Sequence, residues 1–254
     1  MDHSPRRPFG SDIVKEAPWL LASEGEIEEA HRVVLDATEA RHAGGPLRLK
    51  SGDRVVMTDG AGAVASGTLV LLRRGAAEVV IDAVDRLPRP APGLTLAVAV
   101  LTGAAMDLAI QKAVELGVER MIPVGCKRSQ ISAKRAMTRM EHWIRVSRQA
   151  LKQCHRAWAM ELAPPIMLTD FVDDAEAQHG VVAHPNGSRI EELPSGRGGL
   201  LLIGPEGGFS PDEERALDAA GWPRVCLGPY VLRAETAAIA GAAVFSAGLH
   251  SSDG

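Results

Sequence analysis

The chain has 254 residues, of which 46% are apolar, and it carries a formal net charge of −4 at pH 7. This content suffices for one large domain or two small ones. The net charge excludes a uniformly basic nucleic-acid-binding protein, so any such site must come from local clustering of charge. No apolar run is long enough to span a membrane, and the first residues lack the apolar stretch of a signal peptide.

The cysteines and histidines give no pattern for a disulfide framework or a metal centre. Cys126, Cys154 and Cys226 form neither a CxxC motif nor an even set. Reduced thiols in the cytoplasm are therefore expected. The histidines stand singly along the chain, and we expect no metal site.

The N-terminal third is predicted to be rich in β-strands. We interpret residues 1–18 as an N-terminal extension and residues 19–86 as a small barrel. Strands are predicted at 53–58, 68–72 and 78–84, where apolar and β-branched residues lie between turn residues.

A linker is predicted at residues 87–93. Its sequence, Leu-Pro-Arg-Pro-Ala-Pro-Gly, contains three prolines, which oppose both helix and sheet. The linker sets the boundary to a second domain at residues 94–254.

Strand and helix patterns alternate after the linker. Strands are predicted at 94–101, 120–124, 180–183, 200–203 and 224–227, and helices at 105–116 and 138–158. This alternation is typical of an α/β domain in which helices cover both faces of a parallel sheet.

Basic residues are concentrated in one segment of this second domain. Nine Lys and Arg residues lie between positions 127 and 156, together with a single acidic residue. Arg135 and Arg139 are four residues apart, as are Lys152 and Arg156, which places each pair on one helix face. We refer to this segment as the basic stripe. It either contacts nucleic-acid phosphates or is a solvated helix face.

Two glycine-containing segments carry the strongest indication of a binding site. The apolar run at 200–203 leads into Gly-Pro-Glu-Gly-Gly at 204–208, and Ser210 with Glu213 then forms a capping box. A loop at the carboxyl end of a buried strand is where α/β sheets bind small molecules, although a tight turn alone is the alternative.

The second segment repeats the pattern. The predicted strand at 224–227 runs into Gly228 and Pro229, and an alanine-rich helix then begins near Arg233, Glu235 and Thr236. Two such loops on nearby strands would form one cleft.

The two segments resemble a known enzyme family. Ile-Gly-Pro-Glu-Gly-Gly-Phe at 203–209 and Leu-Gly-Pro-Tyr-Val-Leu-Arg-Ala-Glu-Thr-Ala at 227–237 are similar to motifs of the 16S ribosomal RNA uridine-N3 methyltransferases, in the SPOUT superfamily. Residues 42–53, 111–118 and 149–156 also resemble family motifs. The resemblance covers roughly residues 19 to 250.

The resemblance implies more than the residue pattern does. It implies a knotted, SPOUT-type trefoil methyltransferase domain of α/β class with a parallel sheet, preceded by a PUA-like β-barrel. It also implies S-adenosylmethionine as cofactor, 16S ribosomal RNA of the small subunit as substrate, a homodimer and no membrane association.

The family motifs also imply the site residues. For cofactor binding they are Leu202, Gly204, Gly208, Leu227, Gly228, Leu232, Thr236 and Ala237. Glu206 and Glu235 are the candidate bases for the N3 proton, and Arg233 would stabilise the uracil anion. Each of these three also has a structural alternative, in which a glutamate caps a turn or Arg233 pairs with Glu235.

The predicted RNA contacts come from the barrel motif and the basic stripe. They are Arg48, Arg128, Arg135, Arg139, Lys152 and Arg156. The chain departs from the family at Gly45, Ala104 and Tyr230, where basic residues are usual. Two other functions therefore stay open: methylation of another RNA position such as a ribose 2′-hydroxyl, or a non-catalytic, ribosome-associated RNA-binding protein.

Overall fold

The computed structural model describes residues 17–250 apart from 24, 29–30, 74–75, 91–92, 174–178 and 193–198. All but the last two residues of the predicted N-terminal extension thus lie outside the described part. The chain divides into two units. The first comprises the residues up to Pro90 together with Leu151–Ala159, and the second comprises Ala91–Ala150 and the residues from Met160 onward.

The first unit is built on a five-stranded sheet with the order β1-β3-β4-β5-β2. β1 pairs parallel with β3, and the other pairings are antiparallel. Its core includes Leu20, Ile27, Met57, Leu69 and Ile81, each almost fully buried. The strands are β1 (Trp19–Leu21), β2 (Arg32–Leu35), β3 (Arg54–Thr58), β4 (Ala63–Arg73) and β5 (Ala76–Arg86).

One helix of this unit was not predicted from the sequence. Helix α1 (Ala37–Gly44) interrupts the expected run of strands. The Asp36 carboxylate caps it by accepting from the backbone N–H of Thr38 at 2.7 Å and of Glu39 at 2.8 Å. An aspartate before an alanine-containing segment is an N-cap pattern, and this pattern outweighs the surrounding β propensity.

The second unit contains a seven-stranded parallel sheet with the order β12-β10-β11-β6-β7-β8, and β9 also pairs with β7. The predicted parallel sheet is therefore confirmed. Its strands are β6 (Thr95–Ala99), β7 (Arg120–Gly125), β8 (Glu161–Leu162), β9 (Ile166–Met167), β10 (Val181–Ser188), β11 (Leu200–Ile203) and β12 (Arg224–Val225).

Helices follow most of these strands. They are α2 (Ala104–Glu115), α3 (Ala133–Met137), α4 (Met140–Gln153), α5 (Leu168–Val172), α6 (Pro211–Ala219) and α7 (Ala234–His250). Helix α7 packs closely on the sheet, because a Cβ added at Gly241 would lie 2.3 Å from the Leu201 side chain. None of the described helices combines the length and apolar character that a bilayer crossing requires.

The single basic helix predicted at 138–158 is wrong in its bounds. Only α4 lies within this region, and it spans Met140–Gln153, whereas the short helix α3 ends before the region at Met137. Backbone bonds explain the end, because Gly62 N–H donates to the Ala157 carbonyl at 3.0 Å and Ala159 N–H donates to the Gly60 carbonyl at 2.8 Å. These bonds hold the residues after α4 extended along the β3–β4 turn instead of in a helix.

Candidate active site

A cavity of about 270 Å³ lies at the carboxyl ends of β11 and β12 and beside the middle of β10. These strands are neighbours in the sheet, and the segments that follow them supply most of the lining. This end of a parallel sheet is the usual position for a small-molecule site. The two glycine-containing segments singled out in the sequence therefore meet at one cavity.

Six of the eight predicted cofactor residues line this cavity: Gly204, Gly208, Leu227, Gly228, Leu232 and Ala237. Leu202 is fully buried inside β11 and does not reach the cavity surface. Thr236 is exposed outside the lining. The binding role of all eight stays a prediction.

Sequence reasoning missed a third wall of the cavity. Ala183, His184 and Pro185 of β10 contribute to the lining. No glycine-rich turn or capping box marks this strand. Only the sheet order and register, which place β10 between β11 and β12 with Ala183 level with Ile203 and Val225, reveal that the middle of β10 faces the same space.

The loop after β11 is held by Arg128, which lies just beyond β7. Its guanidinium Nη1 donates to the carbonyl oxygens of Gly207 at 3.2 Å and Phe209 at 3.0 Å. Arg128 therefore positions this loop, and its predicted contact with RNA stays a prediction, since the residue is exposed.

Glu213 gives the same loop a second support. Its carboxylate is 1% exposed and accepts from the backbone N–H of Ser210 and of Lys127, each at 2.7 Å. The Ser210 hydroxyl accepts from the Glu213 N–H at 3.4 Å, which confirms the predicted capping box. Lys127 also pairs with Asp212. We refer to residues 204–210 as the braced loop.

Cys126 lies buried beside this support. Burial, and then the charge of Glu213, raises the pKa of its thiol to about 12. Burial and the raised pKa both keep this thiol protonated and oppose its reaction as a nucleophile.

The glycines of the cavity are required for different reasons. A Cβ at Gly204 would lie 2.8 Å from the Phe209 ring, so this glycine lets the ring pack against the end of β11. Gly208 has a φ of 68°, which few other residues adopt. A Cβ at Gly228 meets no atom within 4 Å and would stand in open space.

The segment after β12, residues 226–233, is far more exposed, and we call it the open loop. Tyr230 and Val231 are 81% and 80% exposed. Arg233 is also exposed. The Cys226 thiol donates to the Gly228 carbonyl at 2.8 Å.

The candidate catalytic residues surround the cavity mouth. Glu206 lines the cavity and is exposed. Arg233 and Glu235 fall outside the lining, and the two form no ion pair with each other in the described structure. The Oε2 atom of Glu235 is buried and has no hydrogen-bond partner among the described residues. The structural alternative of an Arg233–Glu235 pair is therefore not observed.

The remaining predicted RNA contacts have different environments. Arg48, Arg135 and Arg139 are exposed. Lys152 is 8% exposed and its ammonium pairs with Glu39, so its charge is not presented on a surface. The Arg156 Nε donates to the Trp158 carbonyl at 3.1 Å.

Comparison with known proteins supports a specific family. The model of an RNA methyltransferase domain matches residues 88–246. Ribosomal RNA small subunit methyltransferase E of Mycobacterium bovis is 30% identical over 215 residues, which are 81% of this chain and 82% of that protein.

Two solved structures resemble the whole fold. A methyltransferase-like protein of Legionella pneumophila, in complex with the bound cofactor SAM, has a TM-score of 0.84 and 29% identity, and the match covers 91% of this chain and 98% of that one. Ribosomal RNA small subunit methyltransferase E of Neisseria gonorrhoeae, bound to S-adenosylmethionine, has a TM-score of 0.80 and 28% identity over 91% and 97% of the two chains.

The fold, the cavity and these similarities agree with one another. The sheet is that of an α/β methyltransferase, and the structural relatives are methyltransferases crystallised with S-adenosylmethionine. The chain therefore belongs to the RNA methyltransferase family, and within it to the group of ribosomal RNA small subunit methyltransferase E.

Proposed function

We propose that this protein methylates N3 of a specific uridine in 16S ribosomal RNA of the small subunit, with S-adenosylmethionine as methyl donor. The main observation in support is the cavity between the braced loop and the open loop, found in a chain that belongs to this family. The named relatives, which are small-subunit ribosomal RNA methyltransferases, support the choice of substrate.

The lining of the cavity suits the cofactor chemically. Leu227, Leu232 and Phe209 supply apolar walls, and the open space at Gly228 would admit a ligand close to the backbone. Bound S-adenosylmethionine would supply an electrophilic methyl group. We propose that the eight predicted residues form this site. They include Leu202, which would contribute its backbone in β11, and Thr236 at the start of α7.

The protein's part in the reaction is to remove a proton and stabilise a charge. Uridine N3 carries a proton on its pairing edge, so the base must be unpaired or extruded. We assign proton removal to Glu206, which lines the cavity, in preference to Glu235. As N3 becomes anionic, negative charge spreads to O2 and O4, where the Arg233 guanidinium would stabilise it.

The architecture around the site is part of the proposal. We propose a PUA-like RNA-binding barrel at residues 19–86 after an extension at 1–18, a linker at 87–93, and a SPOUT domain at 94–254 with a trefoil knot. Arg48 of the barrel and the exposed arginines predicted as RNA contacts in the basic stripe, Arg128, Arg135 and Arg139, would contact RNA.

We also propose a homodimer that works in the cytoplasm. Apolar side chains exposed on the open loop and on α7 support self-association. They are Tyr230, Val231 and Val244. Surfaces of this kind commonly mark protein interfaces.

The modified nucleoside tests this function directly. 16S ribosomal RNA from a strain lacking the gene, and from the same strain complemented with it, would be digested and analysed by mass spectrometry. We expect N3-methyluridine to be present only after complementation. A 2′-O-methylated nucleoside instead would favour the ribose alternative, and identical spectra would favour the non-catalytic one.

A further inference from the structure

A second cavity, of about 350 Å³, lies beside the candidate active site in the same unit. It stands at the carboxyl ends of β6 and β7. Thr102 and Gly103, just after β6, form one wall, and Gln130 forms part of another. We refer to it as the arginine cleft, because Arg135 and Arg139 complete its lining.

The two arginines are not neutralised by the protein. Both are exposed, and no carboxylate of the described residues pairs with either guanidinium. Asp107, on the neighbouring helix α2, is hydrogen-bonded to His142 at 2.8 Å. Arg128, Lys152 and Arg156 of the basic stripe, by contrast, bond to groups of the protein itself.

The segment that bears the arginines is well anchored. The Ser132 hydroxyl accepts from the Arg135 backbone N–H at 3.3 Å and caps α3. Ala136 is fully buried and Trp143 is 2% exposed, so both fix this segment to the core. The cleft therefore presents two cations from a rigid backbone, which reduces the entropy lost when an anion binds.

Sheet topology relates the cleft to the candidate active site. β6 and β11 are adjacent parallel strands, with Val98 in register with Ile203. Adjacent strands lie about 5 Å apart, so the cleft after β6 and the cavity after β11 open at the same edge of the sheet. The cleft is therefore within reach of an RNA strand that places a base at the cavity.

We propose that the arginine cleft binds a backbone phosphodiester close to the nucleotide that is methylated. Two guanidiniums can donate several charge-assisted hydrogen bonds to a phosphate, and a neutral amide such as Gln130 adds a donor. The inference rests on the proposed function. It goes beyond that function because it assigns one defined ligand, a single phosphodiester, to these two arginines instead of treating them as part of a general basic surface.

The test uses Arg135→Gln/Arg139→Gln with Arg145→Gln/Arg148→Gln as the matched control. The control arginines are also exposed on α4 but do not line the cleft. With small ribosomal subunits from a strain lacking the gene, we expect the cleft variant to bind at least about tenfold more weakly. The magnitude of the slope of log affinity against log salt should fall by about 1, as expected when one phosphate contact is lost.

Phosphate ethylation interference on 16S ribosomal RNA locates the contact. We expect wild type and the control variant to be blocked by ethylation of a phosphate within a few nucleotides of the methylated uridine, and the cleft variant to be insensitive there. The proposal is overturned if the cleft variant binds like the control variant or retains the interference. If wild type transfers no methyl group, the proposed function fails, whereas the binding and interference data still decide the role of the cleft.

Discussion

The braced loop and the open loop face one cavity but are held in opposite ways. The braced loop is fixed by two hydrogen bonds from Arg128 and two accepted by the Glu213 carboxylate, one of which completes the capping box of α6 with the Ser210 hydroxyl. The open loop exposes four-fifths of Tyr230 and Val231 to solvent. The side chains that hold the braced loop come from the segment after β7 and from α6.

The difference in how the loops are held indicates that they have different roles in binding and catalysis. A rigid loop can bind a cofactor with little loss of entropy, because its backbone is already in place. An exposed loop with apolar and cationic side chains suits a large partner that covers it. We therefore expect changes in the braced loop to affect stability and cofactor binding. In the open loop, changes at the cavity-lining Leu227, Gly228 and Leu232 should also affect cofactor binding, whereas a change at the exposed Arg233 should affect catalysis on RNA.

The largest expected effect is that of Arg233→Ala in the open loop. Turnover should fall by roughly two to three orders of magnitude, as when one preorganised charge stabiliser is removed. Arg233→Lys should recover only part of the rate, because an ammonium cannot reproduce the planar guanidinium. The measurement is single-turnover methylation with saturating cofactor and RNA.

Cofactor affinity serves as the control for this prediction. It should be unchanged in Arg233→Ala, since the charge acts only as N3 becomes anionic. A wild-type methylation rate in this variant would remove Arg233 from the catalytic machinery and contradict the assignment of chemistry to the open loop.

The next largest effect is expected in the braced loop. Glu213→Ala would leave the N–H groups of Ser210 and Lys127 without their acceptor, and should lower the free energy of unfolding by about 2–4 kcal/mol. Ser210→Ala removes only the hydroxyl of the same capping box and should cost about 1 kcal/mol. Urea unfolding would measure both. Equal losses in the two variants would show that Glu213 does not brace the loop.

Much of this arrangement could be predicted from the sequence because its determinants are local. The strand at 200–203, the cap at Ser210 and the turn at 204–208 depend on residues that are neighbours in the chain. The two motif segments therefore gave the correct position of the cavity on the sheet.

The features that escaped prediction depend on contacts between distant residues. Glu39 lies 113 positions from Lys152, so the sequence alone could not show that this lysine is buried in an ion pair. Arg128 likewise reaches Gly207 across 79 positions. A spacing of four residues places side chains on one helix face, but it does not show which of them form bonds within the protein and which remain exposed.

The smallest effect concerns the two cysteines nearest the loops. With its pKa near 12, Cys126 would be a thiolate in only about one molecule in 10⁴ at pH 8, and it is also buried. We expect iodoacetamide at pH 8 to modify Cys226, which is only half-buried in the open loop, and to leave Cys126 unmodified in the folded protein. Peptide mass mapping would detect the site. Labelling of Cys126 at a rate equal to that of Cys226 would show that the braced loop opens readily.

Calorimetric titration with S-adenosylmethionine of the wild type, Gly228→Leu and Gly204→Ala tests the cavity assignment most directly. The structure has open space for a side chain at Gly228 and a Phe209 ring against Gly204. Gly228→Leu should therefore fold normally and bind the cofactor at least about tenfold more weakly, whereas Gly204→Ala should lose about 1–3 kcal/mol of stability through overpacking. Wild-type cofactor affinity in a folded Gly228→Leu variant would contradict the assignment of this cavity to the methyl donor.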